Sequence, residues 1–305
     1  MLYPDFNELI SLGQKASRLQ IISGRQSMGA GSGDYASPFR GQGLEFHEVR
    51  EYHFGDDIRS IDWRVTARTD KPYVKVFTEE RERTVILCVD ANAAMRFGTR
   101  GTFKSVQAAR AAALLGWHAN GSNDRVGCLV FGDVAQGIQF FAPARSRRAL
   151  WQTLKLLSDT TTGAHVTPVE QEIALKYLER VAPTRALLIV ISDFQHATDA
   201  IEMRLGNLRR TCDVVLIAVN DPADRELPAM DSVIFEDYEG HKLELDTNNR
   251  VAREAYLAQW RENRSRLEDI AARRSIGIVD LHTNKDVYTD LLFGLRRLNI
   301  GKSGR

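Results

Sequence analysis

From Thr84 onward, short apolar runs alternate with longer segments whose apolar residues return every three or four positions, and this alternation limits the fold more than any other feature. The runs cover 84–90 (TVILCVD), 124–131, 186–192, 213–219 and 276–281, and each is nearly apolar throughout. A strand that is apolar on both faces must be covered on both faces, which indicates a parallel sheet between helical layers. The intervening segments, 103–119, 147–158, 168–181, 200–210, 251–274 and a closing 287–298, carry helical spacing. The expected class is therefore α/β, a doubly wound, mostly parallel, Rossmann-type sheet. In such a sheet the functional crevice lies beyond the carboxyl ends of the strands, where Asp90 and Asp193 both fall.

The first part of the chain differs. Residues 1–34 read as an N-terminal helix, with Phe6, Leu9, Ile10, Ala16 and Leu19 on one face, followed by a loop rich in glycine and serine from residue 27. Residues 35–83 read as a small antiparallel β extension around LEFHEVREY and PYVKVFTEE, with turn residues between. Residues 84–305 form the main domain, with an inserted hairpin at 232–245 that turns at Glu239 and Gly240.

Composition excludes several functions. Forty-one basic and forty acidic side chains leave a formal charge of +1, so no global field favours nucleic acid or an anionic membrane. The arginine pairs at 147/148, 209/210, 273/274 and 296/297 sit among acidic residues and read as solvated helix faces. The longest apolar stretch, ALLIVI from Ala186, is too short to cross a bilayer. The N-terminus lacks the pattern of a signal peptide. Cys88, Cys128 and Cys212 lie far apart, as reduced, buried thiols would in a cytoplasmic protein. The GKS at Gly301 lacks the upstream glycine of a phosphate loop, since Arg296 holds that position, and no GxSxG or HExxH spacing occurs.

The densest motif is GQGLEFHEVREYHFGDDIRSIDWRVTARTDKPYVKVFTEERE, residues 41–82. Glu45, Phe46, Arg50, Tyr52, Gly55, Asp56, Asp57, Arg59, Ile61, Asp62, Trp63, Thr66, Ala67, Arg68 and Glu79–Arg81 stand at the spacing of the DUF58 signature. The resemblance continues through VILCVDANAAM, DRVGCLVFG and LLIVISDF. It implies a von Willebrand factor A-like domain with an N-terminal β extension. It also implies association with a MoxR-type AAA+ ATPase, in chaperone-like assembly or activation of client proteins. Charge alone allows two roles for Arg50, Tyr52, Gly55, Asp56, Asp57, Arg59, Asp62, Trp63 and Arg68. One is a structural network that pins the extension through bidentate arginine contacts; the other is a partner-recognition surface.

A metal-dependent A-type domain resembles D-x-S-x-S after the first strand, with a later threonine and a later aspartate. Here the five positions are Asp90, Ala91, Asn92, Ala93 and Ala94. Asn92 retains an oxygen and Ala94 offers none. Asp193 matches the later aspartate, and Thr167 is one of several candidate threonines. This degenerate set, Asp90, Asn92, Thr167 and Asp193, would hold Mg2+ weakly at most. The expected function is a non-enzymatic, cytoplasmic, protein-binding adaptor that takes protein clients, binds no nucleic acid and does not insert in a membrane. The rival is a metal-dependent, phosphoesterase-like hydrolase that uses the strand-end aspartates, with His196 the one acid–base candidate near them in sequence.

Overall fold

The computed structural model describes residues 3–19, 44–54, 56, 58–69, 71–79, 83–134, 137–159, 170–195, 197–227, 230–236 and 242–303. Gly55, Asp57, Thr167, His196, the loop over 27–43 and the expected turn at Glu239 and Gly240 lie outside the described residues. In chain order the elements are α1 (Phe6–Ser11), α2 (Gly13–Ala16), β1 (Leu44–Glu51), α3 (Trp63–Thr69), β2 (Tyr73–Glu79), β3 (Thr84–Ala91), α4 (Lys104–Gly121), β4 (Arg125–Gly132), β5 (Ile138–Ala144) and α5 (Arg148–Asp159). Then follow α6 (Gln171–Val181), β6 (Leu187–Ser192), α7 (Asp199–Thr211), β7 (Asp213–Asn220), α8 (Pro222–Arg225), β8 (Ser232–Glu236), β9 (Lys242–Asp246), α9 (Arg250–Arg274), β10 (Gly277–His282) and α10 (Val287–Ser303).

The chain forms two compact units, Ser27–Glu82 and the remainder, Met1–Gln26 with Arg83–Arg305. In the larger unit six strands run in the order β10-β7-β6-β3-β4-β5. All pair in parallel except β5, which is antiparallel to β4. Winding starts at β3, proceeds outward to β4 and β5, then returns to β6 on the other side of β3. The direction of winding therefore reverses between β3 and β6. That boundary is the switch point at which doubly wound sheets leave a crevice.

Alternation along each strand feeds two cores. Val85, Leu87 and Val89 of β3 pack with α1, α2, α4, α5 and α10, whereas Ile86 and Cys88 pack with α6, α7 and α9. Strands apolar at every position are thus satisfied by helices on both faces. The N-terminal helix expected from Phe6, Leu9, Ile10, Ala16 and Leu19 is broken into α1 and α2. It buries Leu9, Ala16 and Leu19, and is fixed by Trp117 Nε1–H donating to the Leu9 carbonyl and by an Arg110–Glu8 ion pair. All three cysteines are free and buried, and burial pushes their thiols up, as suits inert core residues.

Two elements depart from the sequence expectation. β5 was not anticipated, because IQFFAPA contains a proline and is only half-buried; as the sheet's antiparallel edge it needs no cover on its free side. Between β1 and β2, the residues expected only to turn include the helix α3, started by Asp62, whose Oδ1 accepts from the backbone N–H of Arg64 and Val65.

Candidate functional site

Asp90 is the penultimate residue of β3, and its carboxylate turns inward. Asp90 is 7% exposed. Its Oδ1 accepts from the backbone N–H and the Nδ2 of Asn92, each at 2.9 Å, and its Oδ2 accepts from Ser192 Oγ at 2.6 Å. Burial, aided by the nearby charge of Asp193, pushes the carboxyl up to about 6 in spite of these bonds. The space above it is small, about 20 Å³, and Tyr3, Pro4, Arg96, Ser105 and Leu157 enclose it with Asp90 and Ala91. Asn92 directs its amide nitrogen, rather than its oxygen, toward Asp90.

One strand over, β6 ends at Ser192, and Phe194 adopts a left-handed backbone (φ 50°) immediately after Asp193. Asp193 Oδ2 accepts from Lys104 Nζ at 2.8 Å, and the same ammonium donates to Asp224 Oδ1 at 3.2 Å. Lys104 is the first residue of α4 and its side chain is 1% exposed. Burial would discharge it, but Asp193 and Asp224 outweigh burial and hold the ammonium above the ordinary lysine value. Asp224 also accepts from Gln195 Nε2 at 2.8 Å and, through Oδ2, from the Asp221 backbone N–H at 2.8 Å. Burial pushes the Asp224 carboxyl up even so.

Asp221 and Asp224 cap α8 reciprocally, with Pro222 at the first helical position. Burial works against the Asp221 charge, yet bonds from Thr283 and Thr99 hold that carboxyl below its ordinary value. Lys104, Ser192, Asp221 and Asp224 were not among the residues singled out from sequence. The capping pattern DPAD was legible there. The pairing of a helix-starting lysine with aspartates 89 and 120 positions away was not.

Of the expected ion set, Asp193 Oδ2 is taken by the Lys104 ammonium, Asn92 turns its amide nitrogen to Asp90, and Thr167 lies outside the described residues. A divalent cation on Asp193 Oδ2 would have to compete with the Lys104 ammonium for the same oxygen. Among the described residues no three His, Cys, Asp or Glu side chains converge as metal ligands.

Beside Asp193 and Asp224 lies an open cavity of about 190 Å³ under α9, lined also by Gln195, Asn220, Tyr256, Gln259, Trp260 and Asn263. Tyr256 donates its hydroxyl to the Ala223 carbonyl, and the Arg225 guanidinium lies 5.9 Å from the Trp260 ring.

In the small unit, Arg50 grips Asp56 with both guanidinium nitrogens, at 2.6 and 2.9 Å, and the His53 backbone N–H donates to the same carboxylate. These contacts, Arg50 foremost, hold the Asp56 carboxyl below its ordinary value. The Tyr52 backbone N–H donates to the Pro72 carbonyl, Asp62 caps α3, and Thr66 Oγ1 accepts from the Tyr73 backbone N–H. Arg59 and Arg68 are exposed on the short 3-10 turn and at the end of α3. Trp63, Phe54 and Ile58 are exposed. The signature stretch thus brings Arg50, Asp56 and Asp62 into local structure and leaves Phe54, Ile58 and Trp63 outward.

The sequence profile described as "Protein of unknown function DUF58" matches residues 48–266. The chain belongs to the DUF58 family. Uncharacterised proteins of Mycobacterium tuberculosis and Mycobacterium bovis are 28% identical to this DUF58 chain over 264 residues, covering 85% of it and 81% of each relative. Among solved structures, it is similar to an aerotolerance-related membrane protein from Bacteroides fragilis (14% identity, 72% of this chain and 99% of that one, TM-score 0.46). It is also similar to a von Willebrand factor type A protein from Catenulispora acidiphila (9% identity, 74% and 44%, TM-score 0.40). No described helix of this chain is long and apolar enough to cross a membrane.

Proposed function

We propose that this DUF58 protein is a non-catalytic, cytoplasmic adaptor that binds other proteins through the C-terminal edge of its sheet. We further propose that it works with a MoxR-type AAA+ ATPase in the assembly or activation of client proteins. The observation that carries the reading is the internal commitment of the strand-end carboxylates. Asp193 and Asp224 are held by Lys104, Asp221 by two threonines, and Asp90 by Ser192 and Asn92. A hydrolase needs such groups aimed at substrate. What the edge presents instead is a rim of carboxamides around Trp260, a combination suited to protein contact. In the small unit, exposed Phe54, Ile58 and Trp63 offer further apolar anchors. The choice of ATPase rests on the family resemblance.

The test is affinity purification of the tagged protein from its own cells, in Mg2+ and in EDTA, followed by mass spectrometry. Recovery of an AAA+ ATPase in both buffers, reduced by Trp260→Ala, supports the reading. Absence of any ATPase overturns the partner, and phosphoester hydrolysis by the purified chain that is lost in Asp90→Ala overturns the non-catalytic role.

A further inference from the structure

The edge between β6 and α8 gathers acidic groups that need a counter-charge. Asp193 follows β6, Asp224 lies in α8, and both carboxylates are nearly buried, at 10% and 7% side-chain exposure. Lys104 reaches both from the start of α4, with the Phe97 ring 5.6 Å from its ammonium. Local rules oppose that position. A lysine in the first turn of an eighteen-residue helix meets the positive end of the helix dipole, and the N-cap residue Phe103 supplies no side-chain cap. Burying an ammonium there is tolerated only because two carboxylates receive it.

The carboxylates are themselves fixed. Gln195 Nε2 and the Asp221 backbone N–H each donate to Asp224, and the Gln195 backbone N–H donates to Asp193 Oδ1. The ammonium therefore joins three separate stretches of chain: the start of α4, the turn after β6, and α8. Tying together loops from different strand ends is the structural task that an oxygen-bound divalent ion performs in an acidic crevice.

We infer that Lys104 is the resident cation of this crevice, its ammonium bridging Asp193 and Asp224 in the role of a metal ion, so that the sheet edge is assembled without one. The inference is independent of which partner the edge binds. It explains how Asp193 is retained at the strand end while Ala94 offers no oxygen. It also means that removing the lysine charge converts the crevice into a cation-seeking one, since two acidic side chains are then left facing each other uncompensated.

The experiment uses the full-length protein, titrated with Mn2+ under electron paramagnetic resonance, with Tm recorded in EDTA and in millimolar Mg2+. The wild type is expected to show no saturable Mn2+ site that depends on Asp193, and the same Tm in both buffers. Lys104→Ala is expected to lower Tm in EDTA by roughly 10 °C and to recover part of that loss in Mg2+. Lys104→Gln keeps an amide donor without the charge; it is expected to respond to Mg2+ in the same direction, and it serves where the alanine variant does not fold. A wild-type Mn2+ site abolished by Asp193→Asn overturns the inference. So does a folded Lys104 variant whose Tm is indifferent to Mg2+.

Discussion

Asp90 holds its charge in a place that disfavours charge. Its carboxyl is raised from 3.8 to about 6, first by burial and then by Asp193. A carboxyl with a raised folded-state pKa binds more protons folded than unfolded, so its contribution to stability is fully present below about 4 and is lost as pH rises through about 6. Asp90→Asn removes that dependence while keeping a side-chain oxygen for Ser192 or Asn92. Urea unfolding at pH 4 and pH 7 should show the variant gaining on the wild type as pH rises, by up to about 3 kcal/mol for a shift of roughly two units. A difference that does not change with pH would mean that Asp90 titrates normally in the folded protein.

At the scale of elements, the end of β4 holds the turn after β3 in place. Gly132 has φ 107°, and a Cβ there would lie 2.6 Å from the Asn92 backbone nitrogen. Gly132→Ala therefore meets both a backbone conformation that side chains avoid and a backbone atom that cannot swing away. The expected result is a loss of about 2 kcal/mol or more, read as a lower Tm. The amide resonance of Asn92 should shift as well, because the turn that serves Asp90 must move; an unshifted resonance would detach β4 from the site. α8 shows a different kind of control. Its four residues are too few to be stable alone, yet reciprocal capping by Asp221 and Asp224 fixes it, and the same two side chains reach Thr99, Thr283 and Lys104.

At the scale of the molecule, the two units differ in what holds them. The larger has an apolar core on each face of a six-stranded sheet. Among the residues of Ser27–Glu82 whose side chains are described, Val74 is the one buried hydrophobic side chain, and a two-stranded ribbon with one short helix is marginal in water. The excised segment 27–82 should show no cooperative thermal transition. The chain in which a flexible glycine–serine linker replaces it should still unfold cooperatively, with near-native helix content by circular dichroism. A cooperative transition in the excised segment would make the DUF58 signature a self-sufficient fold.

The sequence by itself determined the alternation of strands and helices, the two-sided burial of the sheet, membership of the family, and the arrival of Asp90 and Asp193 at strand ends. All of these follow from local periodicity or from a motif of fixed spacing, which neighbouring residues carry. The tertiary structure alone decided what those aspartates meet. Lys104 reads in sequence as one more surface lysine at a helix start, and becomes the counter-charge of the crevice only because winding brings Asp193 and Asp224, 89 and 120 residues away, to its ammonium. Tyr3 and Pro4 come to lie over Asp90, and β5 becomes an edge, for the same reason. Long-range pairing is fixed by packing and charge across the fold, and no periodicity within a strand or helix encodes it.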